Sequence, residues 1–464
     1  MEATPHTVSL ERIAALRAAF DRGVLRDPAV RARHLRRLAD ALERLEGDVL
    51  EAMRHDMGKP PMEAYIAEVG VLGEELRHAA QAVGRWAAPR PVPTPLKLQV
   101  SSSTIHPGPL GVVLIVAPWN YPLLLVLAPL AAALAAGNCA VLKPSEDAPR
   151  TAALVERLVR EAGLEELVHV VHGAGHAVLP PLLDAVRFDH VFFTGSAAVG
   201  ARIAAQCAPK LVPVTLELGG KSPAIVDRSA HLPGAVRRIA WSKFFNAGQT
   251  CVSTDHVLVH ADRYEDFLEA FAQQVERMFG RDPQRSPDLA RIVNDRRWQV
   301  LRGHLDHGRI HLGGGHDRAT RYIAPTVLTD VPLDSPPMRE EIFGPLLPVL
   351  PWRDRDELAA LTARNPEPLS AYLFARDTGL ERWFTQELPF GGGCINDTMV
   401  HFGNAQLPFG GVGRSGLGRY HGRAGFDRFS NLKGVMHSND RLDPGVRYAP
   451  YRPWQLKVLR WLFR

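Results

Sequence analysis

Residues 110–142 read LGVVLIVAPWNYPLLLVLAPLAAALAAGNCAVL, with no charged side chain. A membrane helix needs about 20 continuous apolar residues. Here Pro118-Trp-Asn-Tyr-Pro122 breaks the run, and Pro129 and Gly137-Asn138 interrupt it again. The stretch therefore predicts a strand over Val112–Ala117, a helix over Pro122–Ala136 and a strand over Ala140–Leu142, all inside an α/β layer rather than a bilayer. From 110 to about 230 the same alternation continues. Strands are expected at Val168–Val171, His190–Phe193 and Val214–Glu217, and a helix at Thr151–Ala162. Such alternation implies a parallel sheet with helices on both faces. A second α/β stretch, about 223–395, carries expected strands near Ala224–Val226, Val257–Val259 and Leu347–Leu350.

Upstream, the first hundred residues read as helices. Leu35, Leu38, Leu42, Leu45, Val49 and Met53 recur at three- and four-residue steps after the cap signal Asp27-Pro28, and Ile66, Val69, Leu72 and Leu76 repeat the pattern. Pro89-Arg-Pro-Val-Pro-Thr-Pro95 excludes a helix. Leu96, Leu98 and Val100 then alternate, predicting a strand with one polar face, either in a linker or in an arm that leaves the domain and returns.

Composition narrows the function classes. The chain has 464 residues, 46% hydrophobic and 23% charged, which excludes disorder as the dominant state. A net charge of +5 over this length does not imply nucleic acid. The four cysteines, 139, 207, 251 and 394, are too sparse for a disulfide scaffold and lack zinc-site spacing, so no metal is expected. They suit a reducing compartment, and the N-terminus has no basic region leading into an apolar stretch, so no signal peptide is read and a cytoplasmic location is expected.

Five places carry chemistry. Cys251 follows Phe245-Asn-Ala-Gly-Gln-Thr, where a glycine turn would let backbone amides approach whatever the sulfur attacks; a buried inert thiol is the alternative. Glu217, in Thr215-Leu-Glu-Leu-Gly-Gly-Lys-Ser222, closes an expected buried strand, where desolvation would raise its pKa toward that of a base; a surface glutamate is the alternative. Phe193-Thr-Gly-Ser-Ala-Ala-Val-Gly200 follows a strand and opens a helix, a turn that offers amides to phosphate, although it is not G-x-G-x-x-G and Ser196 would serve equally as a helix cap. Lys143 and Glu146 in Leu142-Lys-Pro-Ser-Glu146 suit ribose hydroxyls or a solvated loop. Asn120, between prolines, suits a developing oxyanion or an ordinary turn.

Taken in order, PWNYP, KPSE, FTGSxxVG, LELGGK, GQTC, EEIFGP and LPFGGVGRSG resemble the aldehyde dehydrogenase superfamily. The resemblance runs from about Ile13 to about Tyr451, with Cys251 34 residues after Glu217. RYIAPT at Arg321–Thr326, GVGRSGLGRYHG at Gly411–Gly422 and Arg447-Tyr-Ala-Pro450 look most like the class 3 branch, the fatty and aromatic aldehyde dehydrogenases. The resemblance implies an α/β fold with a Rossmann-type NAD(P)-binding domain (1–88 and 107–217), a catalytic domain (218–395), a β-strand oligomerisation arm (89–106 and 396–432) and a C-terminal tail (433–464). It implies oxidation of medium- or long-chain aliphatic or aromatic aldehydes to acids. Cys251 would attack the aldehyde to give a thiohemiacetal and then a thioester. Asn120, with the Cys251 amide, would hold the oxyanion, and Glu217 would activate the hydrolytic water. Lys143 and Glu146 would bind the adenine-side ribose, with Gly195, Ser196, Val199 and Gly200 by the pyrophosphate. Glu341 would hold the nicotinamide ribose, with Phe343 and Trp119 also at the cofactor. NAD is expected, with NADP accepted, in a homodimer.

Rival readings are a cofactor-independent thioesterase or acyl-transfer enzyme using the same Cys and Glu, and a non-catalytic structural relative. The C-terminal segment after Pro453 is expected to be helical, with Trp454, Val458, Trp461 and Leu462 on one side and Lys457, Arg460 and Arg464 on the other. It is too short to span a bilayer. It would pack on its own subunit or a dimer mate, lie weakly in a membrane interface, or cover the substrate tunnel.

Overall fold

The computed structural model describes residues 9–442 and 445–463. The sequence readings that fall on Met1–Val8 and on Arg464 lie outside them.

The 110–142 stretch folds as strand Val112–Val116, helix Leu124–Ala136 and strand Cys139–Lys143, and every residue in the three is buried. A helix apolar on all sides needs apolar surroundings, and here the buried strands and helices around it supply them. The Gly137-Asn138 interruption is a built corner. Gly137 takes φ +97 and caps the helix, while the Asn138 side-chain oxygen accepts from the amides of Leu110 and Gly111 at 2.7 and 2.9 Å. Among the described residues no helix is long and apolar enough to cross a membrane.

The first sheet has six strands in the order Gly416–Leu417, Val214–Glu217, His190–Thr194, Val112–Val116, Cys139–Lys143, Val168–Val170. All neighbours are parallel except the first pair. The second has seven, Arg309–Leu312, Thr326–Thr329, Leu346–Trp352, His256–His260, Pro223–Val226, Ser370–Phe374 and Gly392–Ile395, again parallel except for the first pair.

The N-terminal helices differ from a single periodic run. Helix Pro28–Arg44, capped by the Asp27 carboxylate on the Ala29 amide at 2.8 Å, ends before Leu45, and a second helix follows over Glu46–Met57. Helix Pro61–Ala64 then passes through a π-helical turn, Tyr65–Gly70, into helix Val71–Ala87. The extra residue of the π turn shifts the phase, so Ile66 is 47% exposed while Glu68 is fully buried.

The strand expected from the alternation of Leu96, Leu98 and Val100 does not form. Leu96–Leu98 is a 3₁₀ turn and Val100 has φ +68, so the chain reverses before the strand Ser101–Pro109 begins. This strand lies between Arg90–Val92 and Ser430–Ser438 in a separate antiparallel three-stranded sheet. The arm therefore extends past the boundaries read at 106 and 432. Most of 396–429 folds back on the body, with helix Gly422–Arg428 against helix Leu124–Ala136.

A terminal helix, Pro453–Leu462, rests at the end of this arm, with Val458, Leu459 and Leu462 half-buried and the Lys97 ammonium 4.0 Å from the centre of the Phe463 ring. Trp454 and Trp461 face outward, 49% and 70% exposed, so the apolar side expected from the sequence is divided between the body and solvent.

Candidate active site

Four of the five chemistry-bearing segments leave the same edge of the first sheet. Val116 is opposite Lys143 and Phe193, and Thr194 is opposite Glu217. Trp119-Asn120, Lys143–Glu146, Gly195-Ser196 and Glu217-Leu218 thus follow the carboxyl ends of four adjacent parallel strands. That edge is where open α/β sheets bind ligands.

The fifth segment arrives from the second unit. After helix Leu232–Phe244 the chain turns through Asn246, Ala247 and Gly248 at φ +53, +51 and +73. A Cβ at position 248 would sit 2.3 Å from the Gly344 carbonyl oxygen, so glycine is required where the nucleophile loop meets the 340s loop. The Gln249 side chain fixes the loop, donating to Asn246 O and Arg291 O at 3.0 Å each and accepting from the Val293 amide at 3.0 Å. Thr250 shares a 2.5 Å hydrogen bond with the Tyr121 hydroxyl, and Tyr372 donates its hydroxyl proton to Val252 O at 2.5 Å.

These segments enclose a cavity of about 250 Å³ with Cys251 and Glu217 both on its wall. The rest of the lining is almost entirely apolar, including Leu124, Trp241, Phe245, Phe402 and Phe409. Glu217 is 3% exposed, and neither carboxylate oxygen has a hydrogen-bond partner. Burial drives its pKa well above the ordinary carboxylate range, against the opposing pull of Arg419 and Arg428. An unpartnered carboxyl of this kind costs stability and is suited to moving a proton. Burial, with the charges of Glu341 and Glu217, also pushes the Cys251 thiol up to about 12. Without a ligand the sulfur is therefore held as a thiol.

Asn120 is buried. Its side-chain NH₂ donates to Gln249 O at 3.1 Å, which leaves a second N–H for another acceptor, and its side-chain oxygen has no partner.

A separate cleft of about 740 Å³ is lined by Ser196–Ala198, at the start of helix Ala197–Cys207, by Gly219–Lys221 and by Glu341. Ser196 occupies the cap position, yet its side chain makes no capping bond. Burial and the nearby Asp255 charge raise the Glu341 carboxyl to about 8, while a bond from the Gly220 amide opposes the shift. A Cβ at position 219 would lie 2.0 Å from a Glu341 carboxylate oxygen, so a bare glycine backbone admits this side chain. Trp119 and Phe343 meet edge to face with centroids 5.4 Å apart. One strand further on, Lys143 donates to Glu146 at 2.6 Å, and the other Glu146 oxygen accepts from the Gly175 amide at 2.7 Å. Burial pushes Glu146 up, but these bonds outweigh it and hold the carboxyl below its usual range.

Two carboxylates able to accept from ribose hydroxyls, with a helix N-terminus for phosphate, fit a dinucleotide. Gly200 packs closely beneath, since a Cβ there would be 2.8 Å from Leu218. Among the described residues no cluster suited to a metal ion occurs.

Sequence reasoning missed a set of buried polar groups that brace these loops. Lys221 pairs with Asp255 and donates to Pro337 O at 2.6 Å; Lys59 and Glu68 form a second ion pair; the Glu63 carboxylate accepts from the Asn246 amide at 2.8 Å. Glu68 sits four residues from both Ala64 and Leu72, but in a regular helix the apolar Ile66 competes for the same face.

A family model described as "Aldehyde dehydrogenase family" matches residues 3–435. The chain is 42% identical over 438 residues to 4,4'-diaponeurosporen-aldehyde dehydrogenase of Staphylococcus aureus, covering 94% of this chain and 95% of the relative. It is 40% identical over 446 residues to human aldehyde dehydrogenase family 3 member B1, covering 96% and 95%. The solved structure of the substrate-bound state of Staphylococcus aureus AldH superposes with a TM-score of 0.95 at 41% identity, covering 99% of this chain and all of that one. Continuous matches of this extent, on a chain whose motifs converge on one sheet edge, show that the chain belongs to the aldehyde dehydrogenase family and, within it, to the class 3 branch.

Proposed function

We propose that this chain oxidises apolar aldehydes, medium- or long-chain aliphatic or aromatic, through covalent capture on Cys251. The carrying observation is that Cys251 and Glu217 share one apolar cavity, while Glu341 and the start of helix Ala197–Cys207 line a separate cleft. Aldehyde oxidation to a carboxylic acid is the family activity. The cavity adds the selectivity, because its lining offers no cation and no second carboxylate to a polar substrate tail.

In this reading the Cys251 sulfur adds to the aldehyde carbon, and its proton leaves the site. The free N–H of Asn120 and the Cys251 backbone amide hold the oxygen as charge develops. A dinucleotide, when bound, accepts the hydride. Glu217, in its ionised form, then takes a proton from water as that water attacks the thioester, and this proton passes to the departing sulfur, releasing the acid and the thiol. Glu341 and Glu146 hold the two riboses, Lys143 supports Glu146, the Gly195-Ser196 turn with Val199 and Gly200 faces the pyrophosphate, and Trp119 and Phe343 border the ring site.

The family uses NAD or NADP. We assign a preference for NAD, since the Glu146 carboxylate repels a 2′-phosphate. NADP remains usable because the side chain, 41% exposed, swings aside once its bonds to Lys143 and the Gly175 amide break. The Rossmann-type domain (1–88 and 107–217) would bind this cofactor and 218–395 would carry the nucleophile. The arm would pair two copies into a homodimer, and the exposed Trp and basic residues of the terminal helix would give weak, peripheral membrane contact to a cytoplasmic enzyme.

The test is absorbance at 340 nm with NAD or NADP across straight-chain and aromatic aldehydes. A rise that is steepest for apolar aldehydes supports the reading. No rise over the whole panel favours a cofactor-independent thioesterase or a non-catalytic relative.

A further inference from the structure

Lys59 and Glu68 are both fully buried, and their 2.5 Å ion pair has no solvent contact. A buried pair of this kind is a poor source of net stability, because desolvation offsets most of the attraction. Its hydrogen bonds indicate what it does instead. Besides Glu68, the Lys59 ammonium donates to the backbone oxygen of Asn120 at 2.9 Å and lies 4.3 Å from the centre of the Tyr121 ring. The second Glu68 oxygen accepts from the amides of Leu123 and Leu124 at 2.9 and 3.4 Å, the first free amides of the helix that follows. The pair therefore holds residues 120–124 from both ends. Asn246, on the nucleophile loop, donates its side-chain N–H to the same Asn120 oxygen at 3.0 Å. Ile66 and Ala67, in the π turn that swings Glu68 inward, are on the cavity wall.

We propose that Lys59 and Glu68 are positioning residues that fix the Asn120 backbone so that its amide N–H faces the reacting oxygen. They join the wall that receives the aldehyde to the group that stabilises its oxyanion. The inference rests on the reading of Asn120 as the oxyanion donor.

The experiment is a double-mutant cycle with decanal as substrate. Lys59→Met removes the ammonium but keeps the stem, and kcat, aldehyde KM and NAD Kd are measured alone and with Asn120→Ala. A displaced oxyanion donor costs about tenfold or more in kcat, so Lys59→Met should show that loss with KM and Kd within about twofold. In the Asn120→Ala background the same substitution should change kcat by less than about twofold, because its effect passes through Asn120. Lys59→Gln, which keeps a donor toward the Asn120 oxygen, should recover part of the rate; it replaces Lys59→Met in the cycle if that variant does not fold. A full Lys59 effect on top of Asn120→Ala, or an unchanged kcat in the single variant, overturns the proposal while leaving the Asn120 reading intact. An unchanged kcat in Asn120→Ala alone removes both.

Discussion

Glu217→Gln should slow thioester hydrolysis and, at the same time, flatten part of the pH dependence of stability. Its two oxygens are buried without partners, and burial raises its pKa well above the ordinary carboxylate value. A carboxyl whose folded pKa is raised contributes stability that is fully present below its unfolded pKa, about 4.5, and is lost as pH climbs toward the folded value. The loss is at most about 1.4 kcal/mol per pH unit. For a chain of this length about 1 kcal/mol corresponds to about 1 °C in Tm. The Tm of Glu217→Gln minus that of the wild type should therefore rise with pH above about 4.5, by no more than about 1.4 °C per unit, read by thermal denaturation in matched buffers. Kinetically, losing a general base costs about 10²- to 10⁴-fold in the step it serves. Stopped-flow absorbance at 340 nm should show one rapid equivalent of reduced cofactor and then slow turnover. A flat Tm difference would refute the electrostatic argument. Hydride transfer and turnover slowed equally, with no burst, would refute the assignment of Glu217 to deacylation.

Glu146→Gln should improve kcat/KM for NADP relative to NAD, since it removes the carboxylate that faces a 2′-phosphate; an unchanged ratio would show that the repulsion does not set the preference. Glu341, at about 8 in the free chain, accepts from two ribose hydroxyls through both oxygens only when ionised, so NAD affinity should tighten by up to about tenfold per unit as pH rises toward 8 and level off above it. Calorimetric titration at pH 6.5–9 checks this, and Glu341→Gln should abolish the slope. Deleting Pro453–Arg464 should weaken binding to anionic vesicles with little change in Tm or dimer mass. A lost dimer or a lowered Tm would instead make the helix a packing element, and a raised KM for long-chain aldehydes alone would make it a tunnel cover.

The parallel-sheet core was legible because four of the motifs directly follow short, buried and mostly apolar strands. Val112–Val116 and His190–Thr194 needed only their apolar runs and the turn residues after them. The arm was less so. The alternation of Leu96, Leu98 and Val100 resembles a strand, but Pro95 leads into a 3₁₀ turn and Val100 reverses the chain, and these side chains stay on the surface. Cys251 and Glu217 were readable one at a time, whereas their shared cavity was not, because Trp241, Phe245, Phe402 and Phe409 reach it from separate segments. Lys59 and Glu68 escaped notice for a local reason: the π turn changes which face is buried, and helical spacing assigns that face to Ile66 rather than to Glu68.

The central claim is that oxidation proceeds through an acyl group on Cys251, and trapping that group tests it most directly. Glu217→Gln enzyme, mixed with NAD and decanal and quenched in acid during the burst, should gain the mass of the aldehyde less two hydrogens. Peptide mapping should place the gain on Cys251 alone, and Cys251→Ser should show none. An unmodified enzyme that has nonetheless produced reduced cofactor, or an acyl group on Cys139, Cys207 or Cys394, would contradict the account.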